Sequence, residues 1–278
     1  MPELPEVETI ARDIRPYVQG VRIQQAIVLM GDILRKVTRP AFERGVAGRR
    51  VAVVGRRAKH VVIELDNGWR VVIQPRMTGA LLVDHVASSW KRGTGDPYDT
   101  IRFALDSGKL LRFRDVRRLG AVFLLDPAKW AKYTAALGPE PLEPGFTAER
   151  LHEILSSGKL AVKKAIMDQK RLAGVGNIYA NEALWMAGID PSRESRRISA
   201  EESVRLHAAI VDVLARSIGG RGTTVRDYRT GTGEPGNFQG SLAVYERAGE
   251  PCLRCGRRIA MTHAIDARSS YFCPGCQR

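Results

Sequence analysis

The first residues of the chain, Met1-Pro2-Glu3-Leu4-Pro5-Glu6-Val7-Glu8, place a proline and then a carboxylate where a processed chain begins. With Met1 removed, Pro2 carries a free secondary amine, which attacks an electrophilic sugar carbon and forms an iminium without losing a second proton. An α-amino group titrates near pH ~8, so a usable fraction is neutral in the cell. Glu3, next along, suits proton donation or acceptance. The same Pro-x-x-Pro-Glu pattern also suits the opening of a helix, because proline fits the first turn and acids fit the positive end of the dipole. A second constellation lies at the other end of the chain. Cys252, Cys255, Cys273 and Cys276 are the only cysteines and read C-x2-C, seventeen residues, C-x2-C. Each pair presents two thiolates from one tight turn, and the two turns of a hairpin close a tetrahedral S4 site for one zinc ion. Four protein thiolates leave no open coordination position, so the metal is structural. Disulfides are the competing use of these residues, and a reducing cytosol disfavours them.

The chain has 278 residues, more than one average domain, and 44% of them are hydrophobic, as expected of a globular protein. Lys and Arg number 44 against 30 Asp and Glu, a net charge of +14 that attracts a polyanion, nucleic acid before any other. An acidic membrane surface is the competing partner, but no long apolar run and no Lys-rich amphipathic terminal helix accompanies the charge. The start of the chain is acidic and punctuated by proline, unlike a signal or transit peptide, so a cytoplasmic, nucleoid-associated protein is expected.

These groups need a scaffold. Val7, Ile10, Ala11 and Ile14 recur at helical spacing, which predicts a helix over 5–15 with Pro2 and Glu3 at its head. From about 21 to 126 short β-branched runs at 51–54, 61–65, 69–73, 101–105, 110–113 and 122–125 predict antiparallel strands. Asp66-Asn67-Gly68 and Asp106-Ser107-Gly108 are their hairpin turns. The fold class is α+β: an N-terminal helix and an antiparallel β-sandwich over 1–136, then a proline-rich linker at 137–147. Helices follow from Thr147, over 161–167 and 178–187, and from a Ser199/Glu202 capping box to about 218. Residues 148–240 are expected as a helical domain ending in a long glycine-rich mobile loop, and 241–278 as the zinc hairpin.

Several further segments have the chemistry of a nucleic-acid contact. The Gly174-Val-Gly-Asn177 turn puts an amide and backbone N–H groups at a helix start, which suits a phosphate but is also ordinary architecture. Arg56-Arg57-Ala58-Lys59-His60 crowds cations at one edge of the sandwich, as a solvated rim also does. Chemistry on a base inside a duplex requires the nucleotide to be extruded and the gap filled. Met77, in Gln74-Pro-Arg-Met77-Thr-Gly79, and Leu119, in Arg114-Asp-Val-Arg117-Arg-Leu119-Gly120, have suitable apolar side chains, although such residues are more often core.

The N-terminal octapeptide, these two loops, the glycine turn and the cysteine hairpin occur in an order that closely resembles the formamidopyrimidine-DNA glycosylases, bacterial repair enzymes that remove oxidised purines. The resemblance spans nearly the whole chain. It implies a helix-two-turn-helix around Asn177, glycosylase and abasic-site lyase activities through Pro2 and Glu3, a monomer acting on double-stranded DNA, and zinc as the one cofactor. It further implies that Lys59, Lys163, Asn177, Tyr245 and Arg268 hold phosphates, with Lys59 and Arg268 close to the reacting sugar. Gln74, Met77, Arg117 and Leu119 then address the gap and the orphaned base, and Thr223, Thr224, Val225, Arg226 and Tyr228 form the loop that reads the everted base. Three departures stand out: Leu119 replaces the usual phenylalanine, Gln74 a usual histidine, and Ala58 the glycine of Arg-Arg-Gly-Lys. Leu119 leaves open an endonuclease VIII-like preference for oxidised pyrimidines, and a damage-binding protein without catalysis is the reading from another class.

Overall fold

The structure is a computed structural model and describes residues 1–84, 95–224 and 227–278. It divides into two compact units, Met1–Ala135 with Gly220–Asn237, and Ala136–Gly219 with Phe238–Arg278.

The first unit opens with α1 (Leu4–Val18). Glu3 is its N-cap and Pro5 lies in its first turn. The Glu3 side chain accepts the Glu6 N–H while the Glu6 side chain accepts the Glu3 N–H, so two of the three orphan donors of the helix start, where Pro5 has no N–H, are satisfied reciprocally. Val7, Ile10, Ala11, Ile14 and Val18 form one fully buried stripe. The helix continues through Pro16, beyond the expected end at 15, because a proline this close to the C-terminus removes only one late hydrogen bond.

Two four-stranded antiparallel sheets complete the core. One has the order β1-β6-β7-β5 and the other β2-β3-β4-β8. The strands are β1 (Ile23–Val28), β2 (Val51–Arg57), β3 (His60–Leu65), β4 (Arg70–Gln74), β5 (Gly79–Asp84), β6 (Asp99–Leu105), β7 (Leu110–Asp115) and β8 (Ala121–Leu125). Inward residues of both sheets, among them Val54, Ile63, Ile73, Leu81, Phe103 and Phe113, pack with the α1 stripe into one cluster. The expected hairpin turns are present, with Gly68 at φ +79 and Gly108 at φ +77, and their N–H groups bond Leu65 and Leu105 carbonyls. Four elements lie outside the sequence reading: β1, β5, α2 (Arg39–Val46) and α3 (Pro127–Ala135).

In the second unit α4 (Ala148–Ser156), α5 (Val162–Met167), α6 (Asn177–Ala187) and α7 (Ala200–Gly219) are followed by the hairpin of β9 (Ala260–Thr262) and β10 (Ser270–Phe272). The capping box before α7 is formed as expected, Ser199 N–H to Glu202 Oε2 at 2.9 Å and Glu202 N–H to Ser199 Oγ at 3.2 Å.

Two expected boundaries change. The proline-rich stretch packs within the second unit: a Cβ on Gly138 would stand 2.5 Å from the Arg171 carbonyl, and Ala173 N–H bonds Pro139 O. The glycine-rich segment Gly220–Asn237 belongs with the first unit, for reasons that lie in α1. No helix among the described residues is long and apolar enough to cross a membrane. Ser199→Ala removes the acceptor for the Glu202 N–H; the helical unit is expected to lose about 1 kcal/mol, read by denaturant unfolding followed by circular dichroism.

Candidate active site and nucleic-acid interface

Pro2, Glu3 and Glu6 are all buried at the head of α1, Glu3 at 2% and Glu6 at 1% exposure. Glu6 Oε2 accepts the Glu3 N–H at 2.8 Å, and Glu6 Oε1 accepts the Thr223 N–H at 2.8 Å. The Tyr228 hydroxyl donates to Arg221 O at 3.1 Å and lies 3.4 Å from Glu6 O; burial, then the Glu6 charge, push its phenol well above the ordinary range. Two turns further on, Asp13 accepts Gly231 N–H at 3.0 Å and Arg221 Nη2 at 3.1 Å. Burial raises its carboxyl despite both donors. A Cβ on Gly231 would stand 2.7 Å from Asp13 Cβ, so only glycine lets the segment lie this close to α1. The segment also closes on itself, Asn237 N–H to Gly220 O at 2.9 Å. The loop expected to be mobile is therefore tied at its base to the helix that presents Pro2. Thr223, Thr224 and Tyr228 lie in this tied part, and Val225 and Arg226 are outside the described residues.

Lys59 occupies a two-residue turn between β2 and β3, closed by the Arg57–His60 pair. It is 8% exposed. Ala58 beside it adopts φ 51, the left-handed region. His60 fixes the turn from behind: Nδ1 lies 3.1 Å from Arg57 O, and Nε2 lies 2.9 Å from the Tyr133 hydroxyl on α3. The cationic run is only partly a rim, because Arg56 bonds Glu8 Oε2 at 3.1 Å.

Two loops of the same unit carry the expected gap fillers. Met77 is 41% exposed, Arg117 is exposed and Leu119 is half-buried. Arg117 Nη1 lies 3.6 Å from Met77 Sδ, so the two loop tips meet. Gln74 Oε1 accepts Arg76 Nε at 3.3 Å, leaving its amide NH2 as the donor. A cleft of 420 Å³ runs beside these loops, lined by Thr78, Val116 and Arg114 on one side and Asp227 and Arg229 on the other.

In the second unit the carbonyl of Ser269, in the β9–β10 turn, is a convergence point. Lys163 Nζ donates to it at 3.0 Å and to Ser270 Oγ at 2.7 Å, and Asn177 Nδ2 donates to it at 3.1 Å. Lys163 is 0% exposed. Lys163, expected at a phosphate, is in the free chain a buried ammonium that holds the turn carrying Arg268, which is itself exposed. Asn177 begins α6, as expected. Sequence reasoning overlooked Glu182. This carboxylate, 3% exposed, accepts the N–H groups of Ala243, Val244 and Tyr245 at 2.8, 3.0 and 2.8 Å, which places the Tyr245 ring edge-on to Tyr271 at 5.2 Å. A lone acid in the apolar run Asn181-Glu182-Ala-Leu-Trp185 was the available signal.

The four cysteine sulfurs lie within 4.8 Å of one another and form no disulfide. Cys252 Sγ is 3.8 Å from Cys276 Sγ, and Cys255 Sγ is 3.4 Å from Cys273 Sγ. These separations suit a tetrahedral ion with Zn–S bonds of about 2.3 Å. Against the desolvation of burial, the Arg254 N–H and the Trp185 indole hold the Cys252 thiol down to about 6, so one ligand is ready to bind as thiolate. Trp185 Nε1 donates to Cys252 Sγ at 3.5 Å, and Arg254 covers the same ring at 4.1 Å. One structural zinc fits this donor set.

Three family models match in succession: the formamidopyrimidine-DNA glycosylase N-terminal domain over residues 1–122, the formamidopyrimidine-DNA glycosylase H2TH domain over 137–228, and the zinc finger found in FPG and IleRS over 249–278. The formamidopyrimidine-DNA glycosylase of Chloroflexus aggregans is 42% identical over 100% of this chain and 98% of its own. The chain belongs to the formamidopyrimidine-DNA glycosylase family. The Xanthomonas axonopodis pv. citri relative is also 42% identical, with 100% of both chains covered. Among solved structures, the protein from Thermus thermophilus superimposes with a TM-score of 0.87 at 35% identity, covering 99% of this chain and 98% of that one. A point mutant of the Lactococcus lactis protein, in complex with DNA containing Fapy-dG, gives 0.90 at 28% identity, covering 100% of both.

Two outcomes follow for this member of the glycosylase family. Glu6→Gln replaces one acceptor oxygen by an NH2 that must face an N–H, which costs about 1–3 kcal/mol. Faster proteolysis within 220–237 is expected, with a lower melting temperature. Trp185→Phe removes the donor to Cys252; zinc affinity is expected to fall about 10- to 100-fold in competition with a chromophoric chelator.

Proposed function

We propose that this chain excises oxidised purines from duplex DNA and then cuts the strand at the resulting abasic site, working as a monomer on the nucleoid. The observation that carries the reading is the shared carboxylate of Glu6, which ties the head of α1 and the base of the 220–237 loop into one site. The Lactococcus lactis relatives solved with Fapy-dG DNA and with abasic-site DNA support it.

Lys59, Asn177, Tyr245 and Arg268 are assigned to the phosphates, where a net charge of +14 favours the encounter. Lys163 assists through the Arg268 turn. Met77, Arg117 and Leu119 fill the gap as the lesion leaves the stack, and Thr223, Thr224 and Tyr228 belong to the loop that reads it. Once Met1 is removed, the Pro2 nitrogen bonds to C1′ of the sugar and gives up its proton. Glu3 protonates the ring oxygen, the ring opens, and the glycosidic bond breaks with the base taking a proton as it departs. The resulting iminium acidifies the C2′ proton. Its removal expels the 3′ phosphate, and a second elimination expels the 5′ phosphate. Zinc, when bound between the four thiolates, holds the ribbon that carries Arg268 and takes no part in these steps.

A wider lesion range is favoured by two observations, the smaller Leu119 and a Lactococcus lactis relative solved with DNA containing an oxidised pyrimidine. Duplexes with 8-oxoguanine and with thymine glycol separate the readings, since excision of the second alone overturns the purine assignment.

Borohydride trapping on an 8-oxoguanine duplex is expected to give a covalent adduct through Pro2 with protein whose N-terminal mass shows loss of Met1, and none with protein that retains it. Glu3→Gln is expected to lower single-turnover excision by about 10²- to 10⁴-fold. An adduct formed equally by Met1-retaining protein rules out the Pro2 amine.

A further inference from the structure

The two loops that carry Met77 and Arg117 are separated in sequence but share one buried polar relay. Arg117 N–H donates to Thr78 Oγ1 at 3.1 Å, the Thr78 hydroxyl donates to Asp115 Oδ1, and Gly120 N–H donates to Asp115 Oδ2 at 2.7 Å. Thr78 is 8% and Asp115 1% exposed. Because the hydroxyl proton is committed to the carboxylate, the lone pairs of Thr78 are turned toward Arg117, and each bond polarises the next. The backbone on either side has no slack. Gly79 pairs with Asp115 across β5 and β7, and a Cβ on Gly79 would stand 2.3 Å from Pro75 O. A Cβ on Gly120 would stand 2.8 Å from the Phe113 ring.

The geometry points to Thr78 and Asp115 as positioning residues that lock the Met77 and Arg117 loops into one wedge, so that both side chains enter the duplex together when the lesion is everted. This rests on the reading of Met77, Arg117 and Leu119 as gap fillers. The free energy of insertion depends on side chains that are already placed, and a wedge whose halves move independently has more conformational freedom to lose on entering the stack.

The test uses the full-length, zinc-loaded protein and a duplex carrying 8-oxoguanine next to 2-aminopurine, whose fluorescence rises as the neighbouring stack opens. Thr78→Val preserves shape but removes the hydroxyl, and Thr78→Ser keeps the hydroxyl. The fluorescence rise is expected to slow about tenfold in Thr78→Val and to recover to within about twofold of the parent in Thr78→Ser. In a Met77→Ala background, Thr78→Val is expected to add less than about twofold, because the wedge is already broken; residues in one network are non-additive in this way. The coupling is overturned if Thr78→Val inserts at the parental rate, if Thr78→Ser is as slow as Thr78→Val, or if the full tenfold penalty persists with Met77→Ala. Parental insertion by Met77→Ala alone overturns the gap-filling assignment itself. Thermal unfolding of each variant separates these results from loss of fold.

Discussion

The carboxylate of Glu6 is 1% exposed and accepts N–H groups from Glu3, three residues before it, and from Thr223, 217 residues after it. A carboxylate taken out of water is costly unless hydrogen bonds replace its hydration. The head of a helix supplies them, with donors that need acceptors and a dipole that favours the negative charge. The consequence is geometric. Neither the start of α1 nor the base of the 220–237 loop can shift without uncovering a buried charge, so the residue that would attack the sugar and the segment that would read the base share a reference point. Asp13 repeats the arrangement further along the helix, with Gly231 in the place of Thr223.

The second unit uses the same device in both signs. There a single carbonyl, that of Ser269, receives Lys163 and Asn177, while Glu182 gathers three successive N–H groups. Lys163 thus holds the backbone that presents Arg268, and Glu182 the backbone that presents Tyr245. A buried lysine with two good acceptors fixes a turn more firmly than an exposed one, whose ion pairs contribute about 1 kcal/mol or less. The exposed arginines are left to supply the field that a polyanion meets.

How much of this could be read beforehand depends on the range of the interaction. The head of α1, the Gly68 and Gly108 turns, the Ser199 box and the cysteine spacing were all legible, because each is decided within a few residues. The strand β5 was not: its first residue, Gly79, also ends the Met77 loop, and the loop signal masked the short apolar run after it. The placement of 220–237 was hidden for a different reason. Its anchors, Glu6 and Asp13, look like ordinary polar positions of a helix, and only the fold brings their partners to them. The burial of Lys163 was equally invisible, since nothing local distinguishes a lysine that meets a carbonyl from one that meets water.

Backbone strain gives an argument for the site that does not depend on side-chain chemistry. Among the described residues, six non-glycine residues have positive φ: Lys36, Ala58, Arg76, Arg118, Arg221 and Glu246. Ala58 precedes Lys59, Arg76 precedes Met77, Arg118 lies between Arg117 and Leu119, Arg221 opens the 220–237 loop and Glu246 follows Tyr245. Each such conformation costs on the order of 1–3 kcal/mol and persists only where the surroundings over-determine it. At Ala58 the surroundings are the His60–Tyr133 pair, and at Arg118 they are the Asp115 relay. A chain free to relax these turns would gain stability, so the placing of five of the six beside residues assigned to DNA or to the lesion loop is what a site held in readiness for its substrate requires.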